Sequence, residues 1–195
     1  MVTPPSVPED RLDGWRRVDD GEETLFSAAG VTVTAHLVRY EDDRLRERVR
    51  ERTGLDRSWR FFLAGRLELS PAPPVTAPLR GLVAARASRG FADRLGDRGF
   101  EGVEVTDRRR LRVGDENARL FGYEARCPLD DVTLSVDGWV AVWAPDRAFR
   151  IAGGAYPTGV AGGGETAARL RDCLDPSAFR DDLFALIRGT AYSRI

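Results

Sequence analysis

The run Gly159-Val160-Ala161-Gly162-Gly163-Gly164-Glu165-Thr166 has the spacing of G-x-x-x-x-G-K-[ST], a loop that cradles phosphates. In that motif backbone N–H groups surround the phosphates and the lysine neutralises them. Here Glu165 stands at the lysine position, and a carboxylate repels the same oxygens. The spacing is therefore a near miss. Gly162, Gly163, Gly164 and Thr166 are left as candidates for anion binding at a helix beginning.

His36 is the only histidine, which excludes a His-rich metal site. A hydrolase or transferase built on it needs an acid or a nucleophile within hydrogen-bond reach. Cys127, Cys173 or a serine would have to be brought there by the fold, and no G-x-S-x-G occurs. The two cysteines fit neither a disulfide framework nor a zinc spacing and read as reduced thiols. The pairs Asp19-Asp20, Asp42-Asp43, Asp130-Asp131 and Asp181-Asp182 could hold a hard cation or do acid–base work. Each sits at a turn or a helix beginning, where capping accounts for it. No catalytic residue, metal or cofactor is assigned.

Composition narrows the partners. Every one of the 30 basic residues is Arg, against 31 acids, for a formal charge of −1. Phosphate binding needs a net basic face, so nucleic acid is not expected. Arg without Lys points to a GC-rich genome. No apolar run approaches the roughly 20 residues of a membrane span. The opening MVTPPSVPEDRLDGW has no signal-peptide pattern. A cytoplasmic location without membrane attachment is the expectation.

The elements that must position these residues follow from period and punctuation. Residues 1–14, with their prolines, read as a loose lead-in to a single domain over 15–195. Leu25–Ala29 and Val31–Tyr40 read as a hairpin around Gly30. Asp42 and Asp43 can cap a short helix that Gly54 ends. Trp59, Phe61, Leu63, Leu67 and Leu69 alternate along a strand. After the proline-rich 70–78, the pattern over 79–98 is helical, with Gly81, Gly90 and Gly96 implying close packing or an interruption.

A meander is expected next, with strands over 102–107, 110–113, 119–126, 132–136, 139–143 and 148–153. Its turns are placed at Gly114–Asn117, Asp137–Gly138 and Pro145–Asp146, with a break at Cys127–Pro128. Two helices close the chain, over 166–174 and from the Asp175–Pro176 cap to 189. The reading is α+β: about seven to eight mainly antiparallel strands with helices packed on them.

This order, together with GLVAARASRGFADRL, GYEAR at 122–126 and DGWVAVW at 137–143, resembles the PsbP-like α/β/α sandwich. It is also similar to uncharacterised archaeal proteins of unknown function. The resemblance implies a non-enzymatic binding or assembly module, with another protein as partner. It carries no functional residue across and does not fix an oligomeric state. A second expectation is a small apolar ligand in a pocket between the 79–98 helix and the sheet, lined by Trp59, Phe61, Phe91, Trp139 and Trp143. The His36 hydrolase or transferase is the third.

Overall fold

Seven antiparallel strands form one open sheet in a computed structural model that describes residues 1–28, 30–145 and 148–190. The strands are β1 (Trp15–Ala28), β2 (Val31–Asp42), β3 (Phe61–Ser70), β4 (Glu101–Val113), β5 (Glu116–Leu129), β6 (Val132–Trp143) and β7 (Phe149–Ala161). Their order is β1-β2-β3-β7-β6-β5-β4. Two meanders therefore meet at a β3–β7 seam, where Phe61–Leu67 pairs with Phe149–Ala155. The helices are α1 (Asp43–Thr53), α2 (Ala77–Asp97), α3 (Gly164–Cys173) and α4 (Pro176–Gly189). The α+β class and the antiparallel sheet are as the sequence reads.

The register puts α2 and α4 on opposite faces. Gly138 lies opposite Tyr123 and Ala155, and a Cβ on Gly138 would meet the Phe91 ring of α2 at 3.2 Å. The next residue, Trp139, points the other way and meets Phe184 of α4 edge-on, with ring centroids 5.3 Å apart. Successive strand residues alternate faces, so helices lie on both sides and the layers run α/β/α.

Several local expectations fail for identifiable reasons. Asp137–Gly138 is not a hairpin turn but the middle of β6; Gly138 is there because Phe91 and Leu95 occupy the space of a side chain. The β5–β6 turn lies at Asp130–Asp131, where Asp130 adopts φ of 40°. Cys127–Pro128 does not break β5. β4 pairs with β5 only as far as Arg126, so Pro128 has a neighbour on one side and its missing N–H breaks no ladder. Residues 102–107 and 110–113 form one edge strand, and β1 reaches back to Trp15 through Arg16–Glu23. Charged edge strands hide the alternation that identifies buried ones. The chain does not leave the sheet at GGAYPTGVA, which continues β7. Asp146, in the turn expected at Pro145–Asp146, lies outside the described residues, as does Ala29 in the first hairpin.

Residues 1–14 are not a loose lead-in. Val2 is 3% exposed and Leu12 9%, and Glu9–Arg11 makes a 3-10 turn. The Val2 N–H donates to Glu22 at 2.6 Å. Pro8 lies against Gly189 at the end of α4. The prolines exclude helix and sheet but leave the chain free to pack as an extended strap.

One polar cluster fastens a corner of the fold. The guanidinium of Arg60, just before β3, lies 4.8 Å over the Trp15 ring and 4.6 Å over Phe179 of α4. It donates to Asp42 at 2.5 Å and to Asp182 at 3.2 Å. Asp42 in turn accepts from the Leu45 N–H and so caps α1. Arg60 and Asp42 are both buried, and each satisfies the other.

Candidate functional site

α2 is held to one side of its sheet face. Its buried stripe of Val83, Ala84, Ser88, Phe91 and Leu95 packs on β4, β5 and β6. Tyr123 of β5 anchors it: the phenol donates to the Ser88 carbonyl at 2.9 Å and lies 2.6 Å from the Ser88 hydroxyl. Burial raises the Tyr123 pKa to about 12, so the phenol stays protonated as the donor. Val83 and Ala84 also bury Val33 and Ala35 of β2 and Leu67 of β3, whereas Leu37 of β2 stays half-buried beside the helix.

A groove of about 250 Å³ results. Leu37 of β2, Leu63 and Leu67 of β3 and Ile151 of β7 form its floor, while Val83 and Ala87 of α2 form its wall. Gly65, between Leu37 and Ile151 in the register, lets their side chains close over it. Past Arg94 the groove continues into a second hollow of about 310 Å³, reaching Phe61. Arg94 of α2 forms an ion pair with Glu23 of β1 between the two. The second hollow is rimmed by Asp19, Asp97, Arg39 and Arg98. The Arg98 guanidinium lies 4.7 Å over the Phe61 ring, and burial, then the neighbouring Arg39 charge, lowers its pKa.

Gly90 explains why the groove is open. α2 runs unbroken through it, and a Cβ added there would meet nothing within 4 Å. Neither close packing nor an interruption requires glycine at this position. Glycine in a helix interior costs up to ~1 kcal/mol. Its effect here is to leave the groove wall without a side chain.

The five aromatics expected in one pocket are divided. Phe61 and Phe91 meet at the groove, ring centroids 6.3 Å apart. Trp139 and Trp143 share a side of β6, as their spacing requires, but it is the side away from α2. The Trp139 indole donates to the Tyr156 hydroxyl at 3.3 Å beneath α4. Trp59 is buried before β3, outside both hollows, with Arg57 5.9 Å from its ring. Alternation shows which residues of a strand share a face; only the pairing register shows which face that is.

The glycine loop carries the chain from β7 into α3. Gly162 is the turn out of β7 with φ of 123°, Gly163 precedes α3, and Gly164 and Thr166 fall in its first turn beside Glu165. The Gly162 and Val160 carbonyls accept from Arg171.

His36 does find an acid. Its Nε2 lies 2.7 Å from Asp20 and its Nδ1 3.2 Å from the Val2 carbonyl. Both ring nitrogens are thus engaged, one with the strap and the other with β1, on the face opposite the groove. Cys127 and Cys173 are buried free thiols and are not among its contacts. Among the described residues no group of three or more His, Cys, Asp or Glu is placed to hold a metal ion, and no helix is long and apolar enough to cross a membrane.

A protein-family model described as "domain of unknown function (DUF6517)" matches residues 4–191. The chain belongs to this family. The matched span includes most of the N-terminal strap, all seven strands and all four helices. No curated protein and no solved structure matches the chain. For this DUF6517 domain the groove residues Leu37, Leu63, Leu67, Ile151, Arg94 and Glu23 are the ones that sequence reasoning missed.

Proposed function

We propose that this domain is a non-catalytic binding module whose ligand is a small apolar molecule held between α2 and strands β1–β3. The observation that carries the reading is Gly90, a helix glycine facing an apolar groove with no steric need to be glycine. The groove supports a ligand of modest size, enclosed on two sides and bounded by charged groups that keep it soluble when empty. The layered fold is in keeping with the PsbP-like resemblance, which at the level of fold supports binding rather than catalysis.

A protein partner is the competing reading. Among the described residues the exposed large apolar side chains are Met1 and Leu82. That favours the groove over a broad docking patch.

Gly90→Trp tests the proposal, because the indole has open space to fill and the helix loses an unfavourable residue. Decanol should raise the melting temperature of the unsubstituted protein saturably. The variant should melt no lower without ligand and should show no such rise. Equal stabilisation of both proteins, or of neither, overturns the reading. A stoichiometric protein partner captured by cross-linking and lost in Gly90→Trp transfers the groove to the competing one.

A further inference from the structure

We infer that Arg94 and Glu23 form a removable bar across the groove and thereby penalise apolar chains long enough to pass beneath it. The inference rests on the groove being a ligand site.

The two hollows share Leu37, Leu63, Phe91 and Arg94. One apolar floor therefore runs beneath the ion pair from the first hollow into the second. The pair stands at the boundary: Leu25 of β1 lines only the first hollow, while Gly21 and Glu23 line only the second. The Arg94 and Glu23 side chains are 40% and 44% exposed, so water screens their attraction. Exposed ion pairs of this kind are held weakly. A chain that fits the first hollow leaves the bar in place. A longer one must lift Arg94 away from Glu23, and the apolar floor it then covers offsets the loss of the pair.

The ends of the groove also differ. The first hollow has an apolar interior of Leu37, Leu67, Val83 and Ile151 with Arg86, Arg89 and Asp93 of α2 along one side, whereas Asp19, Asp97, Arg39 and Arg98 line the second. A chain lying through both places its far end among Asp19, Asp97, Arg39 and Arg98. The ligand class is a chain with an apolar body and one polar end.

The experiment uses the full chain and measures displacement of anilinonaphthalene sulfonate by straight-chain primary alcohols from hexanol to hexadecanol. Affinity for the unsubstituted protein should climb about fourfold per methylene and pause, by about one methylene's worth, where the chain first reaches the pair. In Glu23→Gln the pause should vanish, so that hexadecanol binds about three- to fivefold tighter than to the unsubstituted protein while hexanol is unchanged. Arg94→Met should reproduce that shift, since it removes the same bar from the other side. The same pause in all three proteins overturns the bar and leaves the groove standing. If no alcohol displaces the dye, or Gly90→Trp binds alcohols equally well, the groove itself fails and the bar with it.

Discussion

The two faces of this sheet are closed to different extents. On one face α1, α3, α4 and the N-terminal strap meet over the strands, and Ile187, Leu170 and Phe62 are fully buried. On the other, α2 is the single covering helix: Val83 and Ala84 bury Val33, Ala35 and Leu67 in a smaller core, and beside it Leu37 and Ile151, only half-buried, line a groove. What differs is the covering: a single helix tied to β5 by Tyr123 spans to β1 only through the Arg94–Glu23 pair. A partly open face therefore arises from where one helix is anchored.

Substitutions on the two faces should separate them by size of effect. The largest loss is expected at the closed corner: Arg60→Ala leaves Asp42 buried without its partner and should cost about 3–5 kcal/mol by chemical denaturation. Close behind it, Ile187→Ala should cost about 2–5 kcal/mol. Leu37→Ala, an aliphatic truncation on the groove floor, should cost less than half as much, because Leu37 is only partly buried and its neighbours can settle. Equal losses at Ile187 and Leu37 would erase the distinction between the faces.

Tyr123→Phe should cost about 1–2 kcal/mol, since the Ser88 groups lose a buried partner. A pair of glycines then sharpens the contrast within one face. Gly138→Ala, under α2, must push against Phe91 and should destabilise. Gly90→Ala, beside the groove, should stabilise by up to ~1 kcal/mol.

The smallest effect concerns Asp137, beneath α4. Burial, then the Glu124 charge, raises its pKa above the ordinary value of 3.8. Below 3.8 it is protonated in the folded and unfolded chain alike and costs nothing. As the pH climbs through the raised value it ionises where it is poorly solvated, and stability falls. Asp137→Asn should therefore melt higher than the unsubstituted protein at neutral pH, with the gap closing in acid.

What could be read from the sequence follows the same division. Caps and buried strands were legible: Asp42, Gly54 and Asp175 act as their types suggest, and Phe61, Leu63, Leu67 and Leu69 share one face of β3 as their alternation requires. Edge strands were not, since Arg16–Glu23 and Arg108–Arg110 face water and follow no period. The Asp137–Gly138 pair misled because a glycine that makes room for a packed ring is spelled like one that makes a turn. The groove was anticipated in place, between α2 and the sheet, but not in its lining. Trp139 and Trp143 are more conspicuous than Leu37 and Ile151, yet their parity relative to α2 depends on pairing that no single strand encodes.

The β3–β7 seam has a consequence for how the chain reaches this state. All other strand pairs join neighbours in sequence, so each meander can zip up locally at small entropic cost. The seam must bring residues 61–67 to residues 149–155 across the whole of α2 and the second meander. Non-local pairing of this kind slows folding. Native-state hydrogen exchange should accordingly resolve two cooperative blocks, β1–β3 and β4–β7, parted along that line.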